Sequence, residues 1–212
     1  MNPKKCAIIS TPRAGTHYLR MSLDNHPKMR WTGEFFRNHK QSLKSHERIK
    51  SYIYNNLCSN IIDRFDCVGF VWHLCLESDL DPSGIDKFIL LRRRNILRQL
   101  TSLLIASETG NWRDTKSTKK VDLNIAQLEW FIKNQEDHYK SFEKWGVKYK
   151  TVFYEDLCEN FEKTTRSVQE YLEVNYCKLK PAELIKQETR PLQKIISNYG
   201  EVKWILQDMN LL

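Results

Sequence analysis

Long apolar runs are absent from this sequence. The longest of them, such as Phe88–Leu91, are far too short to cross a bilayer. A short apolar stretch follows two lysines near the amino terminus, but Pro12 and Arg13 interrupt it before it reaches the length of a signal peptide. The sequence therefore predicts neither a membrane span nor a secretion signal.

Paired cysteine motifs are also absent. None of the six cysteines forms a CxxC pair, and several lie in apolar stretches, where a thiol behaves as a small core residue. A disulfide framework is not expected in a chain of 212 residues with cysteines so dispersed. We therefore predict a reduced, cytoplasmic protein. The seven glycines and six prolines are also scattered and mark no linker or repeat, so we expect one domain over 1–212.

Positive charge is in excess. The formal net charge is +8, which favours an anionic partner but does not choose between nucleic acid, an anionic membrane surface and an anionic cofactor. Only basic residues clustered at the ends of predicted strands point to a particular site.

Short β-rich segments alternate with longer helical ones. The predicted strands are Lys5–Ser10, Met29–Thr32, Cys67–Trp72, Lys87–Leu91 and Lys148–Tyr154. The predicted helices are Thr16–Asn25, Glu47–Ile62, one capped by Asn95 and ending near Ser107, Asp122–Trp145, Glu159–Leu172 and a last amphipathic piece after Glu201. This alternation predicts an α/β fold with a central parallel sheet flanked by helices, and ligands beyond the carboxyl ends of the strands.

The first predicted strand leads directly into a helix through TPRAGTHYL, Thr11–Leu19. Backbone N–H groups at a glycine-containing turn and a helix N-terminus form a cradle for an anion. A Walker loop would place Lys and then Ser or Thr after the glycine, whereas Gly15 is followed by Thr16 and His17, and the cation is Arg13. The loop therefore predicts phosphate binding without magnesium, the alternative being an ordinary turn with a surface arginine.

Three arginines, Arg92–Arg94, follow the strand Lys87–Leu91. Cations oppose the dipole at a helix N-terminus, so their presence indicates that an anion binds there. Arg94 lies at the turn and Ser102 two turns into the next helix, where a guanidinium and a hydroxyl would hold one phosphate. The alternative is a solvated basic helix start.

Two other functions stay open on these observations. A P-loop kinase using ATP would share the sheet and the loop, but the Gly-Lys-Ser/Thr pattern is missing. A non-enzymatic nucleic-acid-binding module would suit the charge of +8 and the arginine run. It leaves the phosphate loop unexplained, so we expect no nucleic acid partner.

Taken in order, these segments resemble the sulfotransferase family. Pro12–Thr16 is similar to its PxSGT-like signature, with alanine where the family often has serine, and Arg94 with Ser102 matches its Arg followed eight residues later by Ser. Further segments are similar to the bacterial carbohydrate branch, the trehalose and nodulation-factor type: GEFF (Gly33–Phe36), Arg98–Ala106, Thr109–Trp112, YEDL (Tyr154–Leu157) and the tail Lys186–Val202. The resemblance implies a P-loop-like sulfotransferase fold that moves a sulfuryl group from 3′-phosphoadenosine 5′-phosphosulfate (PAPS) to a hydroxyl of a small-molecule or glycan acceptor, with PAP as product and no metal.

The resemblance also implies individual roles. Arg13 would contact the 5′-phosphosulfate, and the loop after it would supply donors to the same group. Arg94 and Ser102 would hold the 3′-phosphate. Tyr18 would flank adenine, with Tyr154 as a second candidate for that position, and Lys186 and Arg190 of the tail would close over the donor. The residues predicted to bind the donor are Arg13, Ala14, Gly15, Thr16, His17, Tyr18, Arg94, Ser102, Tyr154, Lys186 and Arg190.

Sulfuryl transfer is an in-line displacement that needs a base on the acceptor side and a cation on the leaving side. Arg13 would stabilise the leaving phosphate. Glu34, the glutamate of the GEFF segment, is the predicted base, with His17 as the second candidate. His73 is either a residue of the cleft or a buried histidine with satisfied hydrogen bonds. Four tryptophans, Trp112, Trp130, Trp145 and Trp204, are predicted to pack in the core or between helices.

Overall fold

The computed structural model of the protein describes residues 3–34, 64–74, 82–112, 118–183 and 190–212. The chain forms two compact units. The first comprises Met1–Arg92 and His138–Ala182, and the second comprises Arg93–Asp137 and Glu183–Leu212. The predicted helix Glu47–Ile62 lies outside the described residues. None of the helices within the described ranges is long and apolar enough to cross a membrane.

The first unit contains a five-stranded sheet in which every described pair of neighbours is parallel. Its strands are β1 Lys4–Ser10, β2 Met29–Glu34, β3 Cys67–His73, β4 Lys87–Arg92 and β5 Tyr149–Phe153, in the order β2-β3-β1-β4-β5. The predicted parallel α/β fold is thereby confirmed, because each predicted strand is present to within two residues. The apolar strand β1 lies at the centre of the sheet, as its burial requires.

The helices follow the predicted alternation, with two short additions. They are α1 Thr16–Asp24, α2 Ile96–Thr109, α3 Ile125–Glu143, α4 Tyr154–Glu159, α5 Phe161–Leu172, α6 Leu192–Ile195 and α7 Tyr199–Asp208. The short helix α6 was not predicted. The helix predicted over Glu159–Leu172 is α5 to within two residues, and a separate helix, α4, precedes it. The two are divided at Asn160, whose φ of −131° and ψ of 51° are not helical.

Side chains on β1 alternate between two cores, as the pleat dictates. Cys6 and Ile8 pack on one face with residues of α1 and α5, and we call this the α1 face. Ala7 and Ile9 pack on the opposite face with Tyr139. The alternation decides which side chains meet where the strands end.

The second unit has its own core around α2. Asn95 caps this helix as predicted, because its Oδ1 accepts a hydrogen bond from the backbone N–H of Arg98 at 2.9 Å. The prediction that all four tryptophans pack in the core or between helices is wrong for Trp112, which is 37% exposed. It is also wrong for Trp130 and Trp204, which lie on helices and are each 62% exposed. Both lie on the solvent side of otherwise amphipathic helices, and helical periodicity alone did not assign them to a face.

Candidate active site

The carboxyl ends of the five strands bring polar side chains to one edge of the sheet. In spatial order the last strand residues are Glu34, His73, Ser10, Arg92 and Phe153. Ligands of parallel α/β sheets bind at this edge. The residues that carry the predicted chemistry of the first unit are therefore grouped by the sheet itself.

A β-bulge turns Glu34 toward its partners. Trp31 pairs with Gly69, but Glu34 pairs with Val71, so β2 spans three steps where β3 spans two. Trp31 and Val71 both pack on the α1 face. A regular strand would point residue 34 to the opposite face, because side chains alternate. The extra residue restores Glu34 to the α1 face, a use of bulges that is common next to functional sites.

Two imidazoles contact the Glu34 carboxylate. Its Oε1 lies 3.2 Å from Nε2 of His73 and 3.7 Å from Nε2 of His17. The Glu34 side chain is 19% exposed, which leaves access from solvent. The predicted base and its predicted alternative thus lie together, and His73 proves to be a residue of the same cluster.

Hydroxyl groups continue the cluster toward the loop after β1. Nδ1 of His73 lies 3.1 Å from Oγ of Ser10, with which it is in register across the two strands. The same Oγ lies 3.0 Å from Oγ1 of Thr16, the first residue of α1. All three side chains are buried. A continuous set of polar contacts therefore runs from the loop to the carboxylate.

The loop between β1 and α1 has a constrained backbone. Arg13 adopts a left-handed conformation with φ of 64°, which is uncommon for a residue with a side chain and costs on the order of 1–3 kcal/mol. Such conformations cluster at ligand-binding sites. The Ala14 methyl group is buried in the core, so the alanine in place of the family's serine has a packing role.

Gly15 is required for two reasons. Its φ is +97°, and a Cβ atom there would lie 2.2 Å from Cδ2 of Tyr154. As the N-cap of α1 it also leaves the helix without a capping side chain. The positive end of the helix and its first N–H groups therefore favour an anion, and the first turn, which is described in full, contains no acidic residue.

The two tyrosines predicted to flank adenine lie beside the loop. The rings of Tyr18 and Tyr154 pack edge to face with centroids 6.3 Å apart. Burial, followed by the nearby Cys158, raises the pKa of Tyr18. Tyr154 covers the loop glycine directly, so its ring shapes the loop. The adenine role stays a prediction for both.

The opposite face of the sheet edge carries a second polar group. Oγ1 of Thr11 lies 3.2 Å from the Tyr139 hydroxyl, and the Arg92 guanidinium lies 4.3 Å from the centre of the Tyr139 ring. Burial raises the pKa of Tyr139, although Thr11 and Arg92 oppose that shift. Arg92 therefore stacks on an aromatic ring, which the sequence interpretation of three equivalent arginines missed.

The other predicted donor-binding residues belong to the second unit or lie outside the described residues. Arg94 is exposed before α2 and Ser102 is half-buried on α2. The Arg190 guanidinium donates hydrogen bonds to the carbonyl oxygens of Thr118, at 3.0 Å, and Lys119, at 2.8 Å. These bonds hold the chain segment before α3. Lys186 lies outside the described residues, and the donor-binding role of all four predicted residues stays a prediction.

Sequence reasoning missed Ser10 and left His73 undecided. Their positions in the sequence were a usable signal. Ser10 is the last residue of a predicted strand, and His73 directly follows the last residue of another. Among the described residues, no group of three or more histidine, cysteine, aspartate or glutamate side chains is placed to hold a metal ion.

The fold is that of the sulfotransferases. A sulfotransferase from Alicyclobacillus acidocaldarius superimposes over 100% of this chain and 95% of its own, with a TM-score of 0.56 and 12% identity. The mouse sulfotransferase SULT7A1, solved in complex with PAP, matches 82% of this chain and 60% of its own, with a TM-score of 0.52 and 15% identity. The predicted sulfotransferase fold is confirmed.

Among proteins of similar sequence, the chain resembles nodulation protein H. The chain is 24% identical to nodulation protein H of Rhizobium meliloti strain 1021, over 95% of this chain and 90% of that protein. It is 23% identical to nodulation protein H of Rhizobium tropici, over 95% and 89%. No protein-family model matches the chain. The predicted resemblance to the sulfotransferases, with the nodulation type among them, is confirmed across nearly the whole chain.

Proposed function

We propose that this protein is a sulfotransferase that transfers a sulfuryl group from PAPS to a hydroxyl of a carbohydrate or glycolipid acceptor. The contact of the Glu34 carboxylate with His73 and His17 carries the proposal, because a half-buried carboxylate beside two imidazoles, at the end of a strand of a sulfotransferase fold, supports the role of base. The similarity to nodulation protein H and the resemblance to the carbohydrate branch support the acceptor class.

Glu34 would take the proton of the acceptor hydroxyl. The Glu34 side chain is 19% exposed, and its Oε1 lies 3.2 Å from Nε2 of His73. The exposure would admit the acceptor, and the contact with His73 would fix the orientation of the carboxylate. A general base so placed contributes roughly 10²–10⁴-fold to the rate.

The loop after β1 would hold the leaving side. PAPS supplies the sulfuryl group when bound, and its 5′-phosphate is the leaving group. The N-terminus of α1 and the Arg13 guanidinium, on a backbone fixed in a left-handed conformation, favour the negative charge that develops there. The glycine that no other residue can replace beside Tyr154 keeps this loop closely packed.

The 3′-phosphate is the feature that separates this donor from ADP and ATP. We assign it to Arg94 and Ser102, whose spacing matches the family motif, and the mouse sulfotransferase of similar fold was solved with PAP. Arg94 is exposed before α2. The single domain over 1–212 is part of the same proposal.

Thermal stabilisation by nucleotides tests the donor. We expect PAP to stabilise the protein by about 2.7 kcal/mol at a hundred times its Kd, without magnesium and more than ADP or ATP do. Arg94→Ala should remove the preference for PAP over ADP. Arg166→Ala is the matched control, because that exposed arginine pairs with Glu170 on α5. Stabilisation by magnesium-ATP alone would refute the proposal in favour of a kinase.

Transfer itself is measured with labelled PAPS and a panel of oligosaccharides and glycolipids. Label appearing on a carbohydrate hydroxyl supports the acceptor class. Transfer to phenols or amines with none to carbohydrates would contradict it.

A further inference from the structure

Ser10 lies between the loop and the base, and its hydrogen bonds can be counted. Within the described part of the chain, its Oγ contacts Thr16 Oγ1 at 3.0 Å and His73 Nδ1 at 3.1 Å. Ser10 is 0% exposed. A serine hydroxyl has one hydrogen to donate. It can therefore donate to only one of these two partners at a time.

The hydrogen-bond set has two consistent directions. In the first, Thr16 donates to Ser10, Ser10 donates to Nδ1 of His73, and the imidazole carries its proton on Nε2, where it donates to Glu34. In the second, Nδ1 of His73 donates to Ser10, Ser10 donates to Thr16, and the Thr16 hydroxyl hydrogen is released for another acceptor. The two differ by a hydrogen on Nδ1 of His73 and by rotations of the Ser10 and Thr16 hydroxyls.

The second direction requires one more proton on the His73–Glu34 pair. If Nδ1 of a neutral imidazole carries the hydrogen, its Nε2 lone pair faces the Glu34 carboxylate at 3.2 Å, which is repulsive. A proton on Nε2 or on the carboxyl removes the repulsion. An anion that accepts a hydrogen bond from Thr16 therefore favours a protonated His73–Glu34 pair.

We propose that Ser10 is a positioning residue that couples anion binding at Thr16 to the protonation of the His73–Glu34 pair. The inference rests on the proposed function, which supplies the anion and the reaction. It assigns to Ser10 a role that the family motifs do not contain. His73 acts through Glu34 and is a positioning residue as well.

The coupling suits sulfuryl transfer. As the acceptor oxygen bonds to sulfur, its proton passes to the Glu34–His73 pair. The sulfur–oxygen bond to the 5′-phosphate breaks, and its electron pair stays on the phosphate oxygen. The proton that Nδ1 of His73 needs for the second direction comes from solvent when the anion binds, so Ser10 already donates to Thr16, and the Thr16 hydroxyl donates toward the phosphate as that group gains charge. Protonation of the His73–Glu34 pair is thereby accompanied by a hydrogen bond from Thr16 to the phosphate.

The ¹⁵N NMR signals of the His73 ring test the coupling independently of turnover. In the free protein at a pH where the imidazole is neutral, we expect the tautomer with hydrogen on Nε2. Ser10→Ala should shift the signals toward a mixture of tautomers. PAP should change the His73 signals in the wild type and change them much less in Ser10→Ala.

Two further variants keep the test decisive if Ser10→Ala folds poorly. Thr16→Val should keep the Nε2–H tautomer, because Ser10 still donates to His73, and should lose the PAP-dependent change. Thr16→Ser should restore that change. Ser22→Ala is the matched control: Ser22 is also 0% exposed, and its Oγ accepts one hydrogen bond from the Ala182 N–H. It should leave the His73 signals unchanged.

The response of His17, the other imidazole at Glu34 Oε1, is followed in the same spectra, since a bound anion also acts on it by charge alone. We expect Ser10→Ala to alter His73 and not His17. Identical His73 signals in wild type and Ser10→Ala overturn the inference. PAP that shifts the Thr16 amide but not His73 overturns the coupling and leaves the proposed function standing. PAP that shifts neither refutes the proposed function, while the free-protein tautomer still decides whether Ser10 positions His73.

Discussion

Two glutamates of the first unit each contact two basic side chains, at opposite ends of the sheet. Glu34 ends β2 and contacts two imidazoles. Glu173 follows α5 near the amino end and pairs with Lys4 at 2.9 Å and Lys87 at 2.7 Å. Lys4 also donates to the Glu173 carbonyl oxygen at 3.2 Å, at the C-terminus of α5.

The chemistry of the partners separates the two sites. Lysines are charged at every physiological pH, and their hydrogen bonds lower the pKa of Glu173 from 4.5 to about 2. That carboxylate is therefore ionised throughout the physiological pH range, and its role is structural. Imidazoles exchange protons near neutral pH. Glu34 can thus share a proton with its partners, which a base must do during turnover.

Glu34→Gln should have the largest effect of the variants that test the difference between Glu34 and Glu173. We expect a loss of turnover of roughly 10²–10⁴-fold with little change in PAP affinity, because the amide cannot accept a proton. The measurement is initial-rate kinetics with saturating donor, together with PAP titration.

Glu173→Gln is its matched control, since the same change is made to a glutamate that also has two basic partners. Turnover there should stay close to the wild-type value. Comparable losses in both variants would mean that stability, and not base catalysis, explains the effect of Glu34.

Gly15→Ala should have the next largest effect. Its Cβ would lie 2.2 Å from the Tyr154 ring and its φ is +97°, so we expect destabilisation of about 2–5 kcal/mol and loss of PAP binding. Gly110→Ala isolates the backbone contribution, because Gly110 has φ of +69° and open space around it. That variant should lose only about 1 kcal/mol in urea unfolding.

A double variant tests whether overlap with the Tyr154 ring causes the loss of stability in Gly15→Ala. Removing the Tyr154 ring in Gly15→Ala/Tyr154→Ala should recover part of the lost stability, since the steric overlap is gone. Strictly additive losses would show that Tyr154 is not the obstacle.

The pH dependence of stability tests the ion pairs of Glu173 with Lys4 and Lys87, at the amino end of the sheet. It should give the smallest effect. Because the folded pKa of Glu173 is lowered to about 2, its ion pairs stabilise the fold above pH 4.5 and lose that contribution as pH falls toward 2. The difference in Tm between wild type and Glu173→Gln should shrink over that interval. The side chain is 58% exposed, so salt should also reduce the difference. A difference that is constant with pH contradicts this.

Periodicity and turn chemistry were enough to predict the sheet and the turn from β1 into α1. The apolar run ending at Ser10 and the glycine turn at Gly15 are local signals, and the strand and turn that they predict are confirmed, whereas phosphate binding by the loop stays a prediction. The Asn95 cap is equally local and is also confirmed. Such features depend on a few adjacent residues.

The partners of Glu34 were harder to predict. His73 reaches it only because β3 lies beside β2 and because an extra residue in β2 turns the carboxylate to the α1 face. Neither the order of the strands nor the position of the bulge can be predicted from a pattern of adjacent residues. The outward orientation of Trp130 was missed for the same kind of reason, since it depends on packing between distant segments.

The bulge in β2 lets a glutamate that stands three residues after Trp31 share a face with it. A methyl group added at Gly33 would meet nothing within 4 Å, so Ala is tolerated there on steric grounds. Deleting Gly33 would remove the extra residue and leave the glutamate two residues after Trp31, where a regular strand also points it to the α1 face, opposite Val71. In comparing relatives of this protein, a one-residue gap between Trp31 and Glu34 is therefore compatible with a glutamate that still faces the histidine, because the bulge is lost together with the residue.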